Sequence, residues 1–150
     1  MDTDGNENPA SDYLFVYGTL RSPLSLLSKD QIAKHVEWLG FSLVQGSLYD
    51  IGEYPGAVPS ADEFAYINGE IIKMKDPDKI LKMLDEYEGF DPENAGQSEF
   101  LRKKEPVKLE DGTMIESWVY WYNLPVHEKA KIEETDYLEY LKKKQLASKL

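Results

Sequence analysis

Two short stretches of this chain combine residue types that can do chemistry. The first, Tyr17-Gly18-Thr19-Leu20-Arg21, follows directly on the apolar run Leu14-Phe15-Val16. Gly18 has no Cβ, so it allows unusual dihedrals and close approach of a ligand, and the N–H groups from Gly18 to Ser22 can converge on an anionic or carbonyl oxygen. The reading is a strand that ends in a ligand-holding loop. The second stretch is Leu84-Asp85-Glu86-Tyr87-Glu88-Gly89, which places a carboxylate at the end of a predicted helix. A desolvated carboxylate near the negative end of a helix dipole has its charged form disfavoured, which raises its pKa toward the range useful for proton transfer.

The helix that carries this acid is the best-signalled element of the chain. Asp76 is its N-cap, Pro77 its first residue and Gly89 its C-terminal stop, the expected proline and glycine asymmetry. At roughly 100° per residue, with Ile80 as zero, Leu84 falls at roughly 40°, Leu81 at roughly 100° and Glu88 at roughly 80°. Glu88 therefore lies inside the apolar stripe. Lys82 and Glu86 fall on the far side and Asp85 only at its edge, so the wheel singles out Glu88 as the acid directed inward.

Around these motifs the remaining elements follow from pattern. Residues 13 to 17 read as the first strand, and the apolar spacing of Leu24, Leu27, Ile32, Val36 and Leu39 predicts a helix over 24–39 stopped by Gly40. Phe41 to Tyr49 reads as strand with a break or bulge at Gly46, and Asp50 to Pro59 as consecutive turns. Residues 64 to 74 read as two strands around a tight Asn68-Gly69 turn, or as one strand with a bulge there. After a polar loop, Asp91 to Glu99, strands 100–109 and 114–123 flank the hairpin signal Asp111-Gly112, so the sheet is partly antiparallel. Residues 128 to 146 read as a charged C-terminal helix with a narrow stripe of Ile132, Tyr137, Leu138 and Leu141. Residues 1–11, rich in Asp, Asn, Gly, Pro and Ser, read as a disordered tail ahead of a single domain over 12–150.

Charge and composition bound the function. The chain has 150 residues with 17 Lys and Arg against 28 Asp and Glu, a net charge of −11, which repels phosphate backbones and argues against nucleic acid as a partner. The absence of Cys removes disulfides, thiolate zinc sites and cysteine nucleophiles, and two His residues supply no metal cluster. No apolar run approaches the ~20 residues needed to span a bilayer, and the acidic, polar beginning of the chain does not read as a signal peptide. A cytoplasmic location without membrane contact is the expectation.

Four motifs in order, Val16-Tyr17-Gly18-Thr19-Leu20-Arg21, Gly46-Ser47-Leu48-Tyr49-Asp50, Tyr54-Pro55-Gly56 and Leu84-Asp85-Glu86-Tyr87-Glu88-Gly89, resemble the gamma-glutamylcyclotransferase-like family, also called AIG2-like. The resemblance covers Tyr13 to about Asn123. It implies an α+β fold, a small mixed β-barrel with a few flanking helices. It also implies that Tyr17, Gly18, Thr19 and Leu20 bind the glutamyl part of a small-molecule γ-glutamyl substrate, and that the family's acid/base glutamate falls on Glu88. The implied reaction closes 5-oxoproline and expels an amine, an intramolecular aminolysis of the lyase or transferase class, with no metal or cofactor.

This chain departs from several relatives at one point. Their aromatic-x-Arg element begins with Tyr, whereas here it is Phe100-Leu101-Arg102 after a nine-residue insertion, Asp91 to Glu99. Tyr120 and Tyr122 share a strand face with Trp118; packing accounts for both, and a phenol at the pocket is the other use. Arg102 and Arg21 read as ion-pair or surface residues, or as attractors of a substrate carboxylate, and Thr19 as a ligand contact or a turn stabiliser. Two other functions use the same residues: a non-catalytic small-metabolite-binding module, and a protein-interaction role for the acidic tail and charged C-terminal helix. The motifs carry no reading of oligomeric state.

Overall fold

The computed structural model describes residues 12–17, 35–52, 55–133 and 137–148. In chain order the elements are β1 (Tyr13–Val16), β2 (Val36–Gln45), β3 (Ser47–Asp50), β4 (Pro55–Val58), β5 (Tyr66–Met74), α1 (Pro77–Glu88), a 3-10 turn (Pro92–Gln97), β6 (Phe100–Leu109), β7 (Met114–Tyr122), β8 (Ala130–Ile132) and α2 (Tyr137–Ser148). Five strands form a closed barrel in the order β1-β5-β2-β6-β7, and β4-β3-β8 form a second small sheet. The barrel pairs are antiparallel except β1 with β7, which meet in parallel at Leu14 and Trp118. The fold is α+β around a mixed barrel. Among the described residues no helix is long and apolar enough to cross a membrane.

Period-two alternation divides the apolar residues between two cores. Leu14 and Val16 of β1, Ile72 and Met74 of β5, and Tyr120 and Tyr122 of β7 face Ile80, Leu81 and Leu84 of α1. Phe15, Ile71, Ile67, Val44, Val107, Val119 and Trp121 lie across the strands from the helix and fill the barrel. Each fully buried Leu or Ile contributes about 1.5–3 kcal/mol by leaving water, so three such residues on one helix face hold α1 to the barrel wall.

The predicted bounds of α1 agree with the structure. The Asp76 carboxylate accepts a hydrogen bond from the Lys79 N–H at 3.4 Å, and Pro77 occupies the first turn. Gly89 adopts the left-handed conformation at φ 72°. Its N–H and that of Phe90 donate to the carbonyls of Glu86 (3.3 Å) and Asp85 (2.9 Å). The β6–β7 hairpin also forms as read, with Gly112 at φ 90° and the Asp111 carboxylate accepting from the Thr113 N–H at 2.9 Å.

Four expectations are corrected. Residues 36–40 are strand, not the end of a helix: Val36, Glu37 and Trp38 pair with Met74, Lys73 and Ile72, and Leu39 is the extra residue of a β-bulge before Gly40 at φ 131°. Two apolar residues three apart fit a bulged strand as well as a helix, and pairing with β5 decides; residues 24–34 of that predicted helix, like the predicted tail 1–11, lie outside the described residues. Asn68 and Gly69 are mid-strand in β5, opposite Leu43 and Ser42, so neither a turn nor a bulge occurs there. Pro55–Val58 is a strand rather than turns, with Pro55 in its first position, where a missing N–H is tolerated. Residues 130–132 pair with β3, burying Ile132 beside Leu48, and the C-terminal helix starts only at Tyr137.

That helix is fastened to β3 by one carboxylate. The Tyr140 hydroxyl (2.6 Å) and the Lys144 ammonium (2.9 Å) both donate to Asp50 Oδ2. Burial pushes the Asp50 carboxyl up, but these two donors and the Gly52 N–H outweigh it and hold the group below its usual range.

Gly69 is where the barrel wall is tightest. A Cβ there would stand 2.4 Å from Phe15 Cζ and 2.5 Å from the Val16 carbonyl oxygen, and a backbone oxygen in a paired strand cannot retreat. Gly69→Ala is expected to destabilise the protein by about 1–3 kcal/mol, read as a lower denaturation midpoint in urea with an unchanged slope. A neutral substitution would mean that β1 is not seated as described.

Candidate active site

The site is assembled where the end of β1, the last two turns of α1 and the C-terminal part of β7 converge. Tyr17, the residue after β1, is partly buried, and its hydroxyl donates to the main-chain carbonyl of Tyr120. Burial, then the charge of Glu88, push the Tyr17 phenol far above its ordinary value, against a hydrogen bond from the Ala57 backbone in β4. The end of β1 therefore lies within electrostatic reach of Glu88 in the Leu-Asp-x-x-Glu-Gly helix. Gly18, Thr19, Leu20 and Arg21 lie outside the described residues.

Glu88 is partly buried in the last turn of α1. Burial, and after it the negative charge of Glu99, raise its carboxyl to about 7. The like charge is the new feature. Glu99 is drawn in because its N–H donates to the Gly89 carbonyl at 3.2 Å, while its own carbonyl accepts from the Asn123 N–H at 2.8 Å. Two adjacent carboxylates ionise less readily than one, the second effect adding to desolvation.

Asp85, placed at the stripe edge by the wheel, is in fact buried, with the residue 9% exposed. The wheel ignores what stands opposite the helix, and here a cation and a phenol do. Arg102 donates through Nε to Oδ1 at 2.8 Å and through Nη2 to Oδ2 at 3.0 Å, and the Tyr120 hydroxyl donates to Oδ1 at 2.6 Å. The guanidinium also lies 4.4 Å from the centre of the Trp118 ring and 5.7 Å from that of Phe90, a stacked, bidentate arrangement suited to Arg rather than Lys. Arg102 is thus an ion-pair partner.

Tyr120 does more than pack. Its phenol is pushed far above its ordinary value by burial first, then by the hydrogen bond to Asp85 and the charges of Asp85 and Glu88, against the Arg102 charge. Tyr122 packs: its ring meets Phe100 edge-on at 5.3 Å between centroids and lies against Gly56, where a Cβ would come within 2.8 Å of the ring. Phe100, the aromatic that lacks a hydroxyl, is buried in the same contact. Sequence reasoning passed over Asp85 and Glu99, although the Asp111-Gly112 hairpin held a usable signal. Counting back from the three-residue loop Glu110-Asp111-Gly112 sets Arg102 opposite Tyr120, and both reach the helix residue one turn before Glu88.

Chemically, the described part of this site holds two phenols kept neutral, one carboxylate tied to a guanidinium, and one carboxyl that exchanges its proton near pH 7. Such a group can both take and return a proton in one reaction cycle.

The comparisons agree with this architecture. A protein of Methanocaldococcus jannaschii, provisionally named a gamma-glutamylcyclotransferase, is 26% identical over 129 residues, covering 86% of this chain and 98% of its own. Among solved structures, YkqA of Bacillus subtilis superposes with a TM-score of 0.63 at 24% identity; the match covers 92% of this chain but 42% of YkqA. An AIG2-like protein from Mus musculus superposes with a TM-score of 0.58 at 21% identity, covering 84% of this chain and 92% of that one. These structures share the fold. The family described as Gamma-glutamyl cyclotransferase, AIG2-like matches residues 14–139, and the chain belongs to that family.

Proposed function

We propose that this protein is a gamma-glutamylcyclotransferase-type enzyme that converts the γ-glutamyl group of an amine or peptide into 5-oxoproline and releases the amine. Family membership supports a cyclotransferase-type function. The observation that carries the finer reading is Glu88, partly buried, ionising at about 7 and within the electrostatic reach of Tyr17. The α-amine of a γ-glutamyl compound is largely protonated at neutral pH. The ammonium gives one proton to solvent; as the neutral nitrogen attacks the γ-carbonyl carbon, the Glu88 carboxylate takes a second proton from it and a tetrahedral oxyanion forms. The bond from that carbon to the leaving nitrogen then breaks as the Glu88 carboxyl returns the proton to it. Tyr17, Gly18, Thr19 and Leu20 are the proposed substrate-binding residues, with main-chain N–H groups of the segment at the substrate carboxylate or oxyanion.

The test is a panel of γ-glutamyl amines and peptides scored for 5-oxoproline by mass spectrometry. Wild type is expected to release it, and Glu88→Gln to lose 10²- to 10⁴-fold in kcat, the usual scale of general acid–base catalysis. Absence of release across the panel would favour the metabolite-binding alternative. Because the base must start deprotonated, kcat/KM is expected to rise with pH and level off around a midpoint of about 7. A flat profile from pH 5.5 to 8 would contradict the role of Glu88.

A stability measurement needs no substrate. The folded-state pKa of Glu88 is raised, so between the unfolded carboxylate value and about 7 the folded protein holds the extra proton, and stability falls as pH rises through that window. Glu88→Gln is therefore expected to raise the melting temperature at pH 8 and to have little effect near pH 4. Equal effects at both pH values would show that the side chain is not desolvated in the folded protein.

A further inference from the structure

The Asp85, Arg102 and Tyr120 cluster is more elaborate than packing requires. A phenol has one proton to donate. Tyr120 stands in the field of two carboxylates, Asp85 and Glu88, which sit one turn apart on α1, a spacing that puts side chains on the same helix flank. The proton goes to Asp85, at 2.6 Å. Arg102 explains the choice: its Nε and Nη2 bind both oxygens of Asp85, at 2.8 and 3.0 Å, and a carboxylate so bound is a strong acceptor in a fixed orientation. The Trp118 and Phe90 rings hold the guanidinium in place. The Tyr120 main chain in turn accepts the Tyr17 hydroxyl, so one residue of β7 ties together α1 and the end of β1.

We propose that Asp85, gripped by Arg102, is a positioning residue that claims the Tyr120 hydroxyl proton and so withholds a hydrogen bond from Glu88. A carboxylate that receives fewer hydrogen bonds is a stronger base, so the cluster keeps Glu88 reactive at neutral pH. This rests on the reading of Glu88 as the acid/base. Among the described residues, the titratable or charged groups around Glu88 are Tyr17 from β1, Tyr120 from β7, Glu99 ahead of β6, and Asp85 on its own helix with Arg102 behind it.

The experiment follows the Glu88 carboxyl by ¹³C NMR in glutamate-labelled protein, with the resonance assigned by its loss in Glu88→Gln. In Asp85→Ala the phenol loses its acceptor and is free to donate to Glu88, and the Arg102 charge is uncovered, so the midpoint falls by about one pH unit or more. In Tyr120→Phe it stays within about 0.3. The decisive protein is the double variant Asp85→Ala/Tyr120→Phe, where no phenol proton exists and at least half of the fall is recovered. A double variant with the full fall of Asp85→Ala, or an unmoved midpoint in Asp85→Ala, overturns the proposal. A wild-type measurement guards against poor folding of the variants. The Tyr120 hydroxyl proton is expected to keep its chemical shift across the Glu88 titration; a shift that follows the Glu88 midpoint overturns the proposal as well. The acid limb of kcat/KM is expected to move with the NMR midpoint. Absence of 5-oxoproline release from wild type would remove the enzymatic reading while leaving the NMR result to decide the hydrogen-bond assignment.

Discussion

The arrangement of this protein depends on how its barrel closes. Four of the five strand contacts are antiparallel, and the fifth, between β1 and β7, is parallel. That joint sets the end of β1 beside the C-terminal part of β7, where the Tyr17 hydroxyl reaches the Tyr120 carbonyl. It also turns Leu14 and Val16 outward on the wall that receives α1. Burial of the helix face then brings the last turn of α1 to the same place. The site is a consequence of closure and apolar packing, and the hydrogen bonds of Tyr120 to Asp85 and from Tyr17 tie its three elements together.

Within that frame the division of labour among acids is electrostatic. Asp85 and Glu88 belong to the same helix flank and differ by what faces them. Asp85 meets a guanidinium and a phenol, whereas Glu88 meets burial and a like charge from Glu99. Two carboxyl groups on one helix flank thereby stand in different surroundings, one paired with a cation and the other set against a like charge. The like charge beside Glu88 comes from the end of the segment Asp91 to Glu99, which joins α1 to β6 and folds into a short 3-10 turn capped by Asp91 on the Glu93 N–H.

Local chemistry made part of this legible in the sequence. Asp76, Pro77 and Gly89 delimit α1 because caps act within one turn, and Asp111-Gly112 marks the β6–β7 reversal, which closes as a three-residue loop, Glu110 to Gly112, with Gly112 at positive φ. Helical geometry sets Glu88 near the apolar stripe, and it is partly buried, though less so than Asp85. Non-local pairing hid the rest. Val36 and Leu39 have spacing that suits a helix, yet a bulge lets the same residues lie along β5; Asn68-Gly69 has turn chemistry, yet its glycine is there for Phe15. Asp85 was misjudged for the same reason, since its partner Arg102 is distant in sequence and its burial is created by that partner.

The fit of Phe15 over Gly69 acts as a mechanical detent on the first strand. The ring reaches past its directly opposite neighbour, Ile71, into the space that a missing side chain leaves. Sliding β1 by two residues would keep the in-and-out alternation and every class of hydrogen bond, but would drive the ring against Ile67 or Ile71. The alternative alignments that a regular ladder permits are therefore closed by shape rather than by polarity, and the axial position of everything attached to the end of β1 is inherited from one notch in its neighbour.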